Sequence, residues 1–388
     1  MPIVVQKYGG SSVADVEKLG LVADQIVETK RAGNDVVVVV SAMGKTTDGL
    51  LSLAQRLSRD AEPPRRELDM LLSTGERVSM ALLSIAVQAR GYEAISFTGS
   101  QSGIITNDRH FNARIIEVRP HRIEDELHRG KIVIVAGYQG MSYRREITTL
   151  GRGGSDTTAV ALAAALGAER CEIYSDVDGV YSADPRVVPQ ARHLPELDPQ
   201  LLQEMAEHGA KVLNAQAVEW AKRAKIAIHA RSTFAPGRET IVRAPEEPRL
   251  VRAVVGDAQV VLGRYRGAIA RLFEALEGAA VGWRELVQEG SSTSFVVPLA
   301  NVPGWEKAKR VLAERLGADL SLEEEVSSVG LVGDELAPLL PAFVDALASV
   351  GAKPFTLTAS NLRLSATIER ARLVDAQRAL HARFVEEA

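Results

Sequence analysis

Short apolar runs alternate with longer amphipathic segments through the first 230 residues of the chain. The runs are rich in valine and isoleucine and cover residues 3–6, 36–40, 94–97, 132–136, 171–174 and 226–230. Such continuous runs are typical of strands buried on both faces of a parallel sheet. Helical spacing of the apolar positions predicts helices over residues 13–31, 49–59, 67–90, 157–166 and 201–223. The alternation predicts an α/β fold with a doubly wound, mostly parallel sheet, whose ligands bind at the carboxyl ends of the strands.

The pattern changes after a charged, proline-containing stretch over residues 244–252. We therefore predict a linker over residues 246–258, between a first domain at 1–245 and a second region at 259–388. The second region has predicted strands at 260–262, 294–298, 328–332, 355–358 and 362–368, and predicted helices at 268–277, 305–316, 337–350 and 373–384. Two successive βαββαβ-like orders predict a pair of small α+β ferredoxin-like modules.

Two segments of the first domain depart from the simple alternation. Residues 99–112 are polar and contain glycine, so they are predicted to form a long surface loop or lid. Gly75 lies in the middle of the predicted helix at 67–90, where glycine costs about 1 kcal/mol relative to alanine. It indicates a helix break, a close approach by a ligand, or a glycine that the helix tolerates.

Composition and charge narrow the class of partner. The chain has 388 residues, 46% of them hydrophobic, and its formal net charge of -4 and pI near 6.1 argue against nucleic acid or an anionic membrane as a partner. The one cysteine, Cys171, excludes an internal disulfide and is expected to be a buried structural residue. Strand-like residues follow Met1 directly and no apolar stretch is long enough for a bilayer, so we expect a cytoplasmic protein without a leader.

A glycine-rich stretch, GRGGSDTTA at residues 151–159, lies between a predicted strand and a predicted helix. Backbone N–H groups in such a turn can approach an anion closely. An ordinary loop with Ser155 or Asp156 as helix N-cap is the alternative. The dinucleotide-binding fingerprint fits poorly because Asp156 occupies its third glycine position, and a Walker motif at residues 44–46 is excluded because Val39 stands where its first glycine is required.

Several loops that follow strands of the predicted sheet carry polar side chains and glycines. They supply Lys7, Gly9, Gly10, Ser41, Thr47, Glu76, Arg152, Ser155, Asp156, Ser175 and Asp176. A compact cation beside paired glycines suits phosphate oxygens, and phosphoryl transfer depends mainly on positioning and electrostatics. If the acceptor is a carboxylate, it is ionised at pH 7 and needs no base. Arg152 and Glu76 could then hold a carboxylate and an ammonium, which would select an amino acid.

Two of these residues, Lys7 and Asp176, and several other polar residues also have a purely structural interpretation. Lys7 could be a solvated surface lysine, and Lys211 a solvated charge on a helix. Asp176 and Asp178 could simply form the turn before Gly179. The histidines at positions 110, 193, 208 and 229 have no metal-ligand spacing and are predicted to be structural or surface residues.

Seven segments of the chain resemble the signature segments of the aspartate kinase family, in the amino-acid kinase superfamily. They are KYGGSS, VVVVVSAMGKTTD, STGERVS, SFTGSQSGIIT, VIVAGYQG, TTLGRGGSDTTAVALAAAL and YSDVDGVYSADPRV. The resemblance is nearly continuous over residues 2–243. The second half resembles the paired ACT regulatory domains of that family more loosely, with its best segment at residues 356–384.

This resemblance implies transfer of the ATP γ-phosphate to the β-carboxylate of L-aspartate, with Mg²⁺ bridging phosphate oxygens. It implies that Lys7 contacts the transferring phosphate, that Gly9 and Gly10 line the same cradle, and that Asp156 orients Lys7. The expected aspartate ligands are Ser41, Thr47, Glu76, Arg152 and Ser155, with Arg152 on the α-carboxylate and Glu76 on the ammonium. The expected nucleotide ligands, besides Lys7 and its glycines, are Ser175, Asp176, Tyr181, Arg186 and Lys211. A homo-oligomer formed through the ACT domains is also implied.

The regulatory half departs from the family pattern at its turns. Residues 263–267 stand where an Asp-x-Pro-Gly-like turn is usual, and residues 332–336 lack the usual glycine-methionine turn. We therefore expect the paired domains to keep a role in dimerisation and to bind lysine or threonine weakly or not at all. Two other functions remain open: a different acyl-phosphate-forming amino-acid kinase, such as a glutamate kinase, and a catalytically silent amino-acid sensor.

Overall fold

The computed structural model describes residues 1–58, 63–151, 153–210, 213, 215–235, 237–243, 250–302 and 304–386. The chain divides into two compact units. The first comprises residues 1–180, 193–203 and 212–245, and the second comprises 181–192, 204–211 and 246–388. Two short segments that we predicted within the first domain, 181–192 and 204–211, therefore group with the second unit.

Up to residue 243 the described chain contains the six strands and five helices that the apolar pattern predicts, the last helix being divided in two, together with eight short strands and one helix that the pattern does not predict. The strands are β1 (Ile3–Tyr8), β2 (Asp35–Val40), β3 (Ala94–Phe97), β4 (Ile104–Thr106), β5 (Ile115–Val118), β6 (Ile132–Ala136), β7 (Gln139–Ser142), β8 (Ile147–Thr149), β9 (Arg170–Ser175), β10 (Val180–Tyr181), β11 (His193–Leu194), β12 (Glu196–Leu197), β13 (Ala227–Ser232) and β14 (Glu239–Val242). The helices are α1 (Val16–Arg31), α2 (Thr46–Leu57), α3 (Arg65–Gln88), α4 (His121–His128), α5 (Gly154–Ala165), α6 (Pro199–Glu207) and α7 (Ala215–Ala224).

The first unit is built on an eight-stranded sheet in the order β12-β14-β13-β9-β1-β2-β6-β3. Its five pairings from β13 through β9, β1, β2 and β6 to β3 are all parallel, and β14 is antiparallel to β13. Tyr8 is in register with both Val40 and Tyr174, so β1, β2 and β9 end side by side. This sheet confirms the predicted fold class and brings three strand-end loops to one edge.

Helices pack on both faces of this sheet. Residues Val36, Val38 and Val40 of β2 share a buried cluster with residues of α1 and α3. The intervening valines face the other side because strand residues alternate, and α5 packs there with residues 154–163 all buried. The small side chains of α5 allow it to approach the sheet closely. By length and composition α3 could cross a membrane, but half of its apolar window is buried in the protein, as expected for a core helix.

Two local predictions in this unit need correction, and one of the interpretations left open for Gly75 is excluded. Residues 99–112 are not simply a surface loop, because Ile104–Thr106 form β4 in a second sheet of order β5-β4-β7-β8. The predicted helix at 201–223 is two helices, α6 and α7, and Gly209 between them has a φ of 110°. Gly75 does not break α3. A Cβ at that position would lie 2.8 Å from Ala42 Cβ, so the close neighbour is the loop after β2.

The second unit contains two antiparallel sheets with helices. Its elements from residue 250 on are β15 (Val251–Asp257), β16 (Val260–Arg266), α8 (Ile269–Gly278), β17 (Arg284–Glu289), β18 (Ser292–Pro298), α9 (Trp305–Leu316), β19 (Leu320–Glu323), β20 (Val326–Gly333), α10 (Leu340–Ser349), β21 (Thr356–Ala359), β22 (Arg363–Glu369) and α11 (Leu373–His381). One sheet has the order β17-β18-β16-β19 and the other β15-β20-β22-β21. Both have the strand order of a ferredoxin-like module, as predicted.

The predicted linker over residues 246–258 is wrong for its second part. Residues 244–249 lie outside the described residues, but Val251–Asp257 form β15, which pairs antiparallel with β20. The second module therefore takes its fourth strand from before the first module. The charged residues around this strand concealed it, and its pairing partner is distant in sequence.

Candidate active site

Backbone hydrogen bonds tie together the loops that follow β1, β2 and β9. The amide of Gly9 donates to the carbonyl of Tyr174 at 3.1 Å, and the amide of Ser41 donates to the carbonyl of Tyr8 at 3.1 Å. The amide of Gly44 donates to the carbonyl of Gly10 at 3.0 Å. Since these strands are parallel neighbours, the three loops form one polar edge.

Gly10 has a steric reason to be glycine. A Cβ at this position would lie 2.8 Å from the carbonyl oxygen of Ala42 and 3.3 Å from that of Gly44. Both atoms are backbone and cannot move aside as a side chain would. The paired loops after β1 and β2 can therefore approach each other only where Gly10 has no side chain.

An ion pair connects the end of β1 to the first turn of α5. Lys7 Nζ lies 2.7 Å from Asp156 Oδ1, and the two residues are only 9% and 7% exposed. Partial burial strengthens the attraction, and removing one partner would leave an unpaired charge. The structure thus brings together two residues that lie far apart in the sequence, in the contact that the resemblance implied for them.

Glycines shape the turn that leads into α5. Gly151 and Gly153 have φ values of 75° and 73°, a left-handed conformation that favours glycine. A Cβ on Gly137 would lie 2.7 Å from Ser155 Oγ, so the loop after β6 approaches this turn closely. Ser155 and Asp156 are buried in the first turn of the helix, where the dipole favours negative charge. Arg152 lies outside the described residues.

Glu76 is a buried carboxyl group on α3 that faces the loop after β2. Its Oε1 accepts a hydrogen bond from the amide of Ala42 at 3.1 Å. Its Oε2 has no hydrogen-bond partner among the residues that the structure describes. Burial raises the pKa of Glu76 to about 7, against the smaller effect of the Ala42 amide. This carboxyl therefore changes charge near neutral pH and would gain from a cationic partner.

Two other predicted aspartate ligands, Ser41 and Thr47, lie between the end of β2 and the first turn of α2. Ser41 directly follows β2, and Thr47 lies in the first turn of α2. Both are half-buried. The close packing of Gly75 against Ala42 places this loop beside α3 and Glu76.

The predicted nucleotide ligands are divided between the two units. Ser175 ends β9, its hydroxyl accepts from the amide of Val177 at 3.2 Å, and Asp176 is exposed beside it. Tyr181 and Arg186 belong to the second unit, where the Arg186 guanidinium donates to Asp184 at 2.8 and 3.0 Å. Lys211 lies outside the described residues.

Asp69 is a buried polar residue of this region that sequence reasoning missed. It accepts hydrogen bonds from His110, Phe111 and Thr149. Burial raises its pKa above the usual range, while the bonds from Thr149 and His110 oppose that effect. The available signal was its spacing of seven residues from Glu76, which places both carboxyl groups on one face of α3.

Two further predictions concern cysteine and metal ligands. Cys171 is fully buried, as predicted, and burial raises its thiol pKa far above the ordinary value. Within the described ranges, no group of three or more His, Cys, Asp or Glu side chains could hold a metal ion.

Comparisons with known proteins place these features in context. The model of the amino acid kinase family matches residues 2–232. An aspartokinase of Mycolicibacterium smegmatis is 44% identical, and the match covers 99% of this chain and 96% of that protein. An aspartokinase of Geobacillus stearothermophilus is 42% identical, and the match covers 100% of this chain and 99% of that protein. The crystal structure of E. coli aspartokinase III in complex with aspartate and ADP is similar with a TM-score of 0.86 and 25% identity, covering 98% of this chain and 99% of that one.

Proposed function

The chain belongs to the amino acid kinase family as an aspartokinase, and we propose that it transfers the γ-phosphate of ATP to the β-carboxylate of L-aspartate. The products are 4-phospho-L-aspartate and ADP. The observation that carries this proposal is the buried Lys7–Asp156 ion pair, which joins the end of β1, just before its glycine loop, to the first turn of α5. It places a fixed positive charge at the polar edge of the sheet.

The chemistry needs charge stabilisation and alignment from the protein. The β-carboxylate of aspartate is ionised at neutral pH, so it attacks the γ-phosphorus without a general base. Lys7 neutralises charge on the transferring phosphate, and Asp156 holds the ammonium of Lys7 in place. Gly9 and Gly10 let the backbone approach the phosphate oxygens closely.

The aspartate is held at the side of the site formed by α3 and the glycine-rich turn. Arg152 binds its α-carboxylate and Glu76 its ammonium, with Ser41, Thr47 and Ser155 as hydrogen-bonding partners. The buried Glu76 carboxyl supports this assignment. Burial disfavours the ionised form of this group, and an ammonium beside it would favour that form.

The nucleotide is held by Lys7 and its glycine loop together with further side chains, namely Ser175, Asp176, Tyr181, Arg186 and Lys211. The related E. coli protein was crystallised with aspartate and ADP, which supports two sites of this kind. Mg²⁺ keeps several waters and binds largely through substrate phosphates. An ion bound in this way would neutralise developing charge during transfer.

The second unit forms the regulatory half of a cytoplasmic homo-oligomer. We expect its paired modules to join the subunits and to bind lysine or threonine weakly or not at all, because of the atypical turns at residues 263–267 and 332–336. Inhibition of the kinase by either amino acid below millimolar concentration would contradict this expectation.

Trapping of the acyl phosphate tests the proposed reaction directly. The protein is incubated with ATP, Mg²⁺, hydroxylamine and one amino acid from a panel that includes L-aspartate and L-glutamate. We expect a hydroxamate from aspartate, in an amount that matches ADP formation. A protein that forms hydroxamate only from another amino acid, or from none, would overturn the proposal.

A further inference from the structure

Asp69 on α3 is a fully buried carboxylate that collects hydrogen bonds from two separate segments. Its Oδ2 lies 2.5 Å from Nδ1 of His110, and its Oδ1 accepts from the amide of Phe111 at 3.0 Å. The hydroxyl of Thr149 donates to the same Oδ1 at 2.5 Å. A carboxylate offers about four acceptor positions, so these donors largely satisfy it.

The two anchored segments meet at the start of the glycine-rich turn. Thr149 ends β8, and its carbonyl accepts from the amide of Ala113 at 2.9 Å. Two residues later, a Cβ on Gly151 would lie 3.0 Å from Asn112 Oδ1. The loop at residues 107–112 therefore packs against the beginning of the turn that carries Ser155 and Asp156.

The conformation of this loop needs an anchor. Phe111 has a φ of 72°, a left-handed conformation that costs a bulky residue about 1 kcal/mol or more. The amide of Phe111 donates to Asp69, and the neighbouring His110 ring contacts the same carboxylate. These bonds offset the strain and hold the loop in one arrangement.

We propose that Asp69 is a positioning residue for the amino-acid substrate, because it fixes the 107–112 loop and the end of β8 against the turn that begins at Gly151. This inference rests on the proposed aspartate kinase reaction. Asp69 and Glu76 lie on one face of α3. The same helix thus positions the glycine-rich turn and supplies the carboxyl group assigned to the substrate ammonium.

The substitution Asp69→Asn tests this role with little change of shape. An amide has only one acceptor oxygen and presents its NH₂ group to the donors around it, so the loop loses part of its anchor. We expect the KM for aspartate to rise at least tenfold, while the KM for ATP changes less than twofold. Thr149→Val should give a smaller rise of the same kind, and Thr149→Ser should retain the wild-type value.

Thr148→Val is the matched control. Thr148 is equally buried and adjacent in β8, but its hydroxyl bonds to Thr106 at 2.5 Å and not to Asp69. We expect it to lower the melting temperature without changing either KM. Hydrogen exchange over residues 107–112 should accelerate in Asp69→Asn and Thr149→Val and stay unchanged in Thr148→Val.

The outcomes separate this inference from the proposed function. Failure of the wild-type protein to form aspartyl hydroxamate would overturn the proposed function itself. With an active wild type, equal changes in both KM values, or a lowered melting temperature with the aspartate KM unchanged, would overturn the role of Asp69. If Asp69→Asn does not fold, the aspartate KM values of Thr149→Val and Thr149→Ser decide whether Asp69 has this role. Equal values in the two variants would overturn it.

Discussion

At the scale of single residues, the charge state of Glu76 is the feature with the most direct consequence. Burial raises its pKa to about 7, and one carboxylate oxygen has no hydrogen-bond partner among the described residues. The free protein therefore holds this group partly protonated at neutral pH. An ammonium beside it would favour the ionised form and lower the pKa on binding.

We expect the KM for aspartate to depend on pH because of Glu76. Below about pH 7 the carboxyl is protonated in the free protein, so it loses its attraction for the ammonium and the KM rises. Above that pH the KM should level off. Initial rates between pH 5.5 and 8.5 at saturating ATP and Mg²⁺ check this, and Glu76→Gln should raise the KM and remove this pH dependence. A flat profile in the wild type would contradict the assignment.

The same substitution should stabilise the protein. Because the pKa of Glu76 is raised on folding, its contribution to stability is fully present below pH 4.5 and is lost as pH rises through about 7. Glu76→Gln removes that loss, which amounts to about 3 kcal/mol at most. Melting temperatures should therefore show a gain at pH 8 and little gain at pH 5. An equal gain at both pH values would indicate another cause.

The residues of the candidate site could be predicted from sequence to different degrees. Lys7 and Glu76 lie in motifs with distinctive neighbours, and the Lys7–Asp156 contact agrees with the role that the resemblance implied. Asp69 lies in no such motif, and its spacing from Glu76 is a weak signal, since an acidic residue on an amphipathic helix usually indicates a solvated face. The hydrogen-bond donors to Asp69 are His110, Phe111 and Thr149, which lie 41 to 80 residues away in the sequence. Only the folded chain brings them to the carboxylate.

At the scale of elements, one glycine allows two loops of the candidate site to approach each other. The loops after β1 and β2 are in contact because Gly10 has no side chain to meet the carbonyl of Ala42. Continuous apolar runs predicted the long strands well, as in the valines of β2. Strands of three or four residues such as β4 and β8 contain threonine and depend on pairing with neighbours, so the apolar pattern could not indicate them.

Gly10→Ala should therefore impair catalysis. The added methyl would contact backbone atoms and push the loops after β1 and β2 apart. This displaces the glycine loop that follows Lys7. We expect kcat/KM to fall at least tenfold. Gly49→Ala is the control, because Gly49 lies within α2 with no atom within 4 Å of an added Cβ. It should leave activity unchanged and raise stability by about 1 kcal/mol; similar losses in both variants would contradict this steric account.

At the scale of the whole molecule, the strands of the second unit do not join its two sheets in the order in which they occur in the sequence. The module formed by β16, β17, β18 and β19 lies in the sequence between β15 and the strands that β15 joins. Sequence periodicity cannot predict such pairing, because it reports local structure and β15 bonds to residues 328–333. The predicted pair of modules is correct, while the assignment of strands to them required the structure.

Disruption of β15 should damage only one of the two modules. Val254 is buried in a cluster with Leu331, Phe343 and Leu364, whereas the other module has its own cluster around Phe295. Val254→Asp buries an unpaired charge and should cost about 3 kcal/mol or more. Hydrogen exchange should accelerate in α10 and remain slow in α8. Val254→Ala should give a weaker effect in the same place, and equal acceleration in both helices would contradict the strand assignment.

The position of β15 also has a consequence for biosynthesis. This strand leaves the ribosome before the whole first module, and its partner β20 follows only from residue 326. Until then both backbone edges of β15 are unpaired and its valines, most of which are buried in the folded protein, are uncovered, so strands of other nascent chains can pair with it. Slow translation between residues 258 and 325 would prolong this interval, so the yield of soluble protein should depend on synonymous codon choice in that segment more than elsewhere.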